Sequence, residues 1–148
     1  MTPEQKSDVD VGAIHLEKGD ALGDRLGWFG IAVRPDEDLM DRYVHVAGYP
    51  GEPAKGFGRE MWAHRSKVIA ITPLRVYYDV DTTPGQSGAP TFVLETDSTA
   101  PIAIAVHAYG TGGTPQRLGV IANSAPRITR SLFETIQRWI DVGPDGGT

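Results

Sequence analysis

The chain has 148 residues, with 14 Lys and Arg against 19 Asp and Glu, for a formal net charge of −5. Its 40% apolar content can fill the core of one domain, its 22% charged content argues against disorder, and its 18 glycines and 11 prolines follow no repeat period. The acidic balance argues against a nucleic-acid surface, no apolar run is long enough to cross a bilayer, and zero cysteines exclude disulfides, thiolate metal sites and a cysteine nucleophile.

The opening Met-Thr-Pro-Glu-Gln-Lys-Ser-Asp has no apolar segment behind its charges and does not read as a signal peptide; the compartment stays open. Short runs rich in β-branched and aromatic residues then alternate with Gly/Pro turns. The expected strands cover residues 11–16, 27–33, 42–47, 61–62, 67–71, 74–80, 91–94, 102–106 and 118–121. Strands so regularly punctuated predict an all-β antiparallel barrel or sandwich. At the end of the chain the period changes. Ser131-Leu-Phe-Glu134 fits a capping box, and Leu132, Phe133, Ile136, Trp139 and Ile140 fall on one helical face. Gly143-Pro144 is expected to stop this helix, with residues 145–148 fraying.

The segment that carries chemistry is Asp81-Thr-Thr-Pro-Gly-Gln-Ser-Gly-Ala-Pro90. A serine hydroxyl attacks well only when a base takes its proton and fixed donors receive the developing oxyanion. A tight turn through Gly85-Gln86-Ser87-Gly88 directs the Gly85 and Ser87 amides to one point beside the hydroxyl, and a side chain at position 85 would hinder it. Taken alone, the string is an ordinary turn between strands.

Its context gives it meaning. Gly48-Tyr-Pro-Gly51, Met61-Trp62, Asp79-Val-Asp-Thr-Thr-Pro-Gly-Gln-Ser-Gly-Ala-Pro90, Ile102-Ala-Ile-Ala-Val-His-Ala-Tyr-Gly110, Arg127-Ile-Thr129 and Phe133-Glu-Thr-Ile-Gln-Arg-Trp139 stand in one order. In that order and spacing they resemble the C-terminal half of chymotrypsin-fold serine proteases, and among them the glutamyl endopeptidases. The resemblance runs from Asp10 onward. It implies a six-stranded antiparallel barrel with a C-terminal helix (residues 26–148), preceded by a remnant of a largely missing N-terminal barrel (residues 1–25). It implies a serine endopeptidase that works through an acyl-enzyme and prefers to cleave after Glu or Asp, with no cofactor or metal, on peptide or protein substrates. Ser87 matches the nucleophile, Gly85 with Ser87 the oxyanion hole, and Asp10, rather than the nearby Asp8, the triad aspartate. Thr82 and His107 match the residues that receive the substrate carboxylate, with Gly110 bordering their pocket. Family members are commonly secreted.

The triad histidine of this family lies upstream of the aspartate, and none of the nine residues before Asp10 is a histidine. His15 stands in a position the family does not use for catalysis, His45 reads as a structural or surface imidazole in a strand, His64 as an exposed residue, and no His-x-x-x-His spacing suggests zinc. The resemblance therefore implies a histidine-bearing N-terminal barrel, from the same precursor or a separate chain, and a chain that is inactive alone. Residues 1–25, Val11, Ile14 and Leu16 among them, are expected to be poorly held unless something pairs with them. Pro84 replaces a usual glycine. Gln86 replaces the acid that pairs with a new amino terminus in trypsin-like zymogens. Asp81 lies six residues before Ser87, where trypsin-like enzymes select Lys or Arg. Two alternatives stay open: a non-catalytic binding module, and a Lys/Arg preference set by Asp81.

Overall fold

The computed structural model describes residues 8–16, 22–95 and 100–142. The helices are α1 (Leu22–Leu26), α2 (Asp36–Leu39) and α3 (Arg130–Val142). The strands are β1 (Gly30–Ile31), β2 (Tyr43–Gly48), β3 (Trp62–Ile71), β4 (Arg75–Tyr78), β5 (Pro90–Val93), β6 (Ile102–Val106) and β7 (Asn123–Pro126). In β2 the period of two sends Val44 and Val46 fully into the core while Tyr43 faces solvent. Leu39, Val68, Val76, Tyr78, Val80 and Ile104 close around them.

One sheet runs in the order β1-β6-β5-β2-β3-β4-β7. Every neighbouring pair is antiparallel except β1 with β6. The ten-residue β3 pairs with β2 over Trp62–Lys67 and with β4 over Val68–Ile71, and a bulge between Val68 and Ala70 bends it from one half of the sheet into the other. The far edge then returns to β6. Ala105 bridges Arg127, and the Ile128 N–H donates to Ile104 O at 2.7 Å. Six antiparallel strands thus wrap the core, and the ladder stays open at this seam. Among the described residues no helix is long and apolar enough to cross a membrane.

Several expected elements move. Residues 11–16 form no strand: alternation makes a strand only against an open edge, and the adjacent edge of β6 is taken by β1. Ile14 is 90% exposed and Leu16 52%. The expected strand at 27–33 contracts to Gly30–Ile31, held in parallel by Gly30 N–H to Pro101 O and Ala32 N–H to Ala103 O. Runs 61–62 and 67–71 merge into β3. Run 118–121 is not a strand. Gln116–Leu118 is a 3₁₀ turn, and the strand lies at Asn123–Pro126, whose small and polar residues are all buried because they bond the interior.

The helix cap also shifts. Thr129 Oγ1 accepts from the Leu132 N–H at 3.2 Å, so the cap is Thr129 and Ser131 already stands in the first turn. The stop at Gly143-Pro144, the fraying of 145–148, and parts of the N-terminal stretch (1–7 and 17–21) lie outside the described residues.

Candidate functional site

The loop from Asp81 to Ala89 joins β4 to β5 and is held from three sides. From within, the buried Gln86 side chain accepts the Thr83 N–H at 2.9 Å, while the Gln86 N–H returns to Thr83 O at 3.3 Å and the Ala89 N–H to Gln86 O at 3.0 Å. From the turn after β2, the Gly51 N–H donates to Pro84 O at 2.7 Å. From the chain after β6, the Gly88 N–H donates to His107 O at 2.8 Å and the His107 N–H to Ala89 O at 2.9 Å. Pro84 itself thus forms part of the clamp, through its carbonyl.

Glycine is required at position 85 for two separate reasons. Its φ is +103°, and a Cβ there would lie 2.5 Å from Gly51 N and 3.1 Å from both Gly51 Cα and Tyr49 O. The Gly48-Tyr49-Pro50-Gly51 turn, matched separately in the sequence, is packed directly on the Ser87 loop. Among the described residues neither the Gly85 nor the Ser87 amide donates a hydrogen bond. Ser87 is exposed, its Oγ 3.4 Å from Ala108 O, and it shares with Gly85 a cavity of about 300 Å³ beside Tyr49.

The other expected site residues divide between two places. Thr82 and Gly110 line a second cavity of about 500 Å³, together with His64, Asp79, Asp81 and Asn123. There the Asp81 N–H donates to His64 Nδ1 at 2.8 Å. Asn123 donates from Nδ2 to Val80 O and so ties β7 to the loop. His107 lines neither cavity. It is 3% exposed, directly behind the Ser87 loop, and its Nδ1 meets the Tyr78 hydroxyl at 2.8 Å. Burial lowers its pKa from 6.5 to about 4, so the ring is neutral.

Asp10 accepts a hydrogen bond from Tyr109 Oη at 2.9 Å, and the Tyr109 ring lies under the Arg75 guanidinium at 4.6 Å. The bond to Asp10, then burial, raises the Tyr109 hydroxyl above its ordinary 10. No histidine bonds to Ser87 or Asp10 among the described residues. His45 stacks on Phe92, and its pKa is lowered by burial first and by Arg65 second. His15 lines an apolar groove.

The sequence does not single out Gln86 as a clamp, places Tyr78 and Thr91 only within expected strands, and gives no sign of Asn123. A hydroxyl inside an apolar strand run was the signal for Tyr78 and Thr91: both are fully buried, and a buried hydroxyl needs a partner.

No family model matches the chain. It is 30% identical over 136 residues to the glutamyl endopeptidase of Bacillus licheniformis, a match covering 90% of this chain and 40% of that protein. It is also 30% identical over 138 residues to a Bacillus subtilis protein named extracellular metalloprotease, covering 93% of this chain and 40% of that one. The chain therefore spans about two fifths of the length of these curated relatives. Among the described residues no three His, Asp or Glu side chains are grouped to hold a metal ion. The fold is like that in the crystal structure of the scabies mite inactivated protease paralogue S-I1, with TM-score 0.54 and 16% identity over 76% of this chain and 52% of that one. The architecture is the all-β, chymotrypsin-like one, with a C-terminal helix.

Proposed function

We propose that this chain, a glutamyl-endopeptidase-like relative of the chymotrypsin-fold proteases that matches their C-terminal half, supplies the nucleophile, oxyanion donors and specificity pocket of a serine endopeptidase. The observation that carries the reading is the Gly85-Gln86-Ser87-Gly88 turn. Its hydroxyl is exposed on a cavity, its two amides have no acceptor among the described residues, and its backbone is clamped by Gln86, Gly51 and His107. Donors held rigid before reaction stabilise developing charge without reorganising.

In this reading Ser87 Oγ attacks the peptide carbonyl carbon, and its proton passes to a histidine that Asp10 orients. The Gly85 and Ser87 amides hold the oxyanion. The histidine then gives the proton to the leaving amine, and water hydrolyses the acyl-enzyme by the reverse roles. The histidine comes from an N-terminal barrel, in the same precursor or a separate chain, of which residues 1–25 are the last part. An apolar groove of about 960 Å³ between residues 11–16, β6 and α3 supports that partner, since it exposes Ile14 and Ile140, and the curated relatives run to more than twice the matched length. By the resemblance Thr82, His107 and Gly110 receive an acidic side chain; Thr82 and Gly110 share one cavity, while His107 is buried behind the Ser87 loop outside it.

Assembled with its histidine-bearing partner, the protein is expected to cleave after Glu or Asp, and Ser87→Ala to abolish cleavage. The purified chain alone is expected to be inactive. Ser87-independent activity in the assembly, or full activity of the isolated chain, would overturn the reading. A function that survives Ser87→Ala intact belongs instead to a binding module, a reading favoured by the lack of a histidine bonded to Ser87 or Asp10 among the described residues. One observation favours a rival specificity: Asp79 and Asp81 both line the cavity of Thr82 and Gly110, which suits a Lys or Arg side chain. Paired peptides differing only in Glu or Lys before the scissile bond separate the two.

A further inference from the structure

The Tyr78 hydroxyl stands 2.8 Å from His107 Nδ1 and 3.1 Å from Thr91 Oγ1. β4, β5 and the residue after β6 bring the three together, and all are buried, with Tyr78 and Thr91 fully so. Among the described residues Nδ1 is the one His107 ring nitrogen that has a hydrogen bond. A phenol carries a single proton, so the three groups can be wired in two ways. Thr91 can donate to Tyr78 and Tyr78 to Nδ1, which puts the ring proton on Nε2. In the reverse direction Nδ1–H donates to Tyr78 and Tyr78 to Thr91, which leaves Nε2 a bare lone pair.

Chemistry selects the first arrangement. The phenol is the more acidic hydroxyl and a neutral imidazole nitrogen the most basic acceptor of the three, so O–H to Nδ1 is the strongest pairing the trio offers. Further, given the acidic-side-chain reading above, a carboxylate is received by an N–H and repelled by a lone pair. The ring does not need to be charged, because a neutral imidazole still has one donor nitrogen, fixed by the bond that the other nitrogen makes.

We propose that Thr91 and Tyr78 are positioning residues of the specificity site: the chain of donation from Thr91 to Tyr78 to His107 Nδ1 holds His107 as its Nε2–H tautomer, a neutral donor for an acidic side chain. Neither Thr91 nor Tyr78 touches substrate in this arrangement; each acts through His107.

The test is a ring-nitrogen NMR spectrum of the full 148-residue chain at pH 7, labelled at histidine. The expected result is a His107 ring protonated at Nε2 and bare at Nδ1. Tyr78→Phe removes the donor to Nδ1, and the His107 signals should move to those of a tautomer mixture while His15, His45 and His64 keep theirs. Thr91→Val should shift the same two signals in the same direction, and Thr91→Ser should restore them. A merely structural role for the pair lowers stability without redistributing the ring proton. A native His107 protonated at Nδ1 overturns the proposal, and so does an unchanged Nδ1 signal in Tyr78→Phe. If Tyr78→Phe does not fold, the Thr91 pair decides, and an unshifted Thr91→Val spectrum overturns the proposal. The acidic-side-chain reading is scored separately with peptides ending in Glu, Gln or Lys. A Glu peptide that moves Nε2 more than its Gln counterpart supports both. An intact Nε2–H ring that ignores the Glu peptide refutes the acidic pocket and leaves the tautomer assignment standing.

Discussion

Gly85 and Gly88 flank the proposed nucleophile, and replacing each by alanine separates two physical effects in one loop. Both have positive φ, +103° and +88°, where an L residue pays roughly 1–2 kcal/mol in backbone strain. At Gly88 nothing among the described residues lies within 4 Å of an added Cβ, so backbone strain is the expected cost. At Gly85 the Cβ would sit 2.5 Å from Gly51 N, a backbone atom with no side-chain freedom to move aside. The Tyr49-Pro50-Gly51 turn must then withdraw, and the Gly51 N–H to Pro84 O bond of 2.7 Å is lost. A lost bond of this kind costs roughly 1 kcal/mol, which brings Gly85→Ala to roughly 2–3 kcal/mol in total. Urea unfolding followed by tryptophan fluorescence measures both variants. The Gly85→Ala midpoint should fall further than that of Gly88→Ala, by the equivalent of at least about 1 kcal/mol at unchanged slope. Equal destabilisation within about 0.5 kcal/mol would refute the claim that the 48–51 turn is seated on the nucleophile loop.

Three further outcomes follow from the same geometry. Thr129→Ala removes the side-chain cap of α3 and should cost about 1 kcal/mol, whereas Ser131→Ala should cost less; the reverse ranking in thermal unfolding would restore Ser131 as the cap. His107, with its pKa lowered from 6.5 to about 4, binds fewer protons folded than unfolded between those values. Stability is therefore complete above pH 6.5 and should fall by roughly 2–3 kcal/mol as pH drops to 4, a loss that His107→Gln should largely remove in denaturation curves taken across that range. Ser87→Ala should leave unfolding within about 0.5 kcal/mol of the native chain, since the hydroxyl is exposed and its contact with Ala108 O is long at 3.4 Å; a larger loss would mean that Ser87 is structural.

Local chemistry was legible from the sequence. The glycines around Ser87 mark positions of positive φ, and that requirement belongs to the residue itself. The helix at 130–142 announces itself by its apolar period, and β2 by its alternation, because both periods come from the backbone within one segment. Ser131 and Thr129 are equally able to accept an N–H, so the sequence favours a cap two residues too late, and only the path of the chain leaving Ile128 selects Thr129.

What the tertiary structure decided are the pairings across distance. Residues 11–16 have a strand pattern and no strand, because a ladder needs a partner edge and β1 takes the one on β6. β7 reads as polar yet is buried, because Asn123 and Ser124 find Val80 and Arg75 across the sheet. Gly51 meets Pro84, Asp10 meets Tyr109 across 99 positions of sequence, and Tyr78 meets both Thr91 and His107. A sequence states that a buried hydroxyl or imidazole must be satisfied. Only the folded chain states by whom, because the partner is chosen by strand register and not by proximity along the backbone.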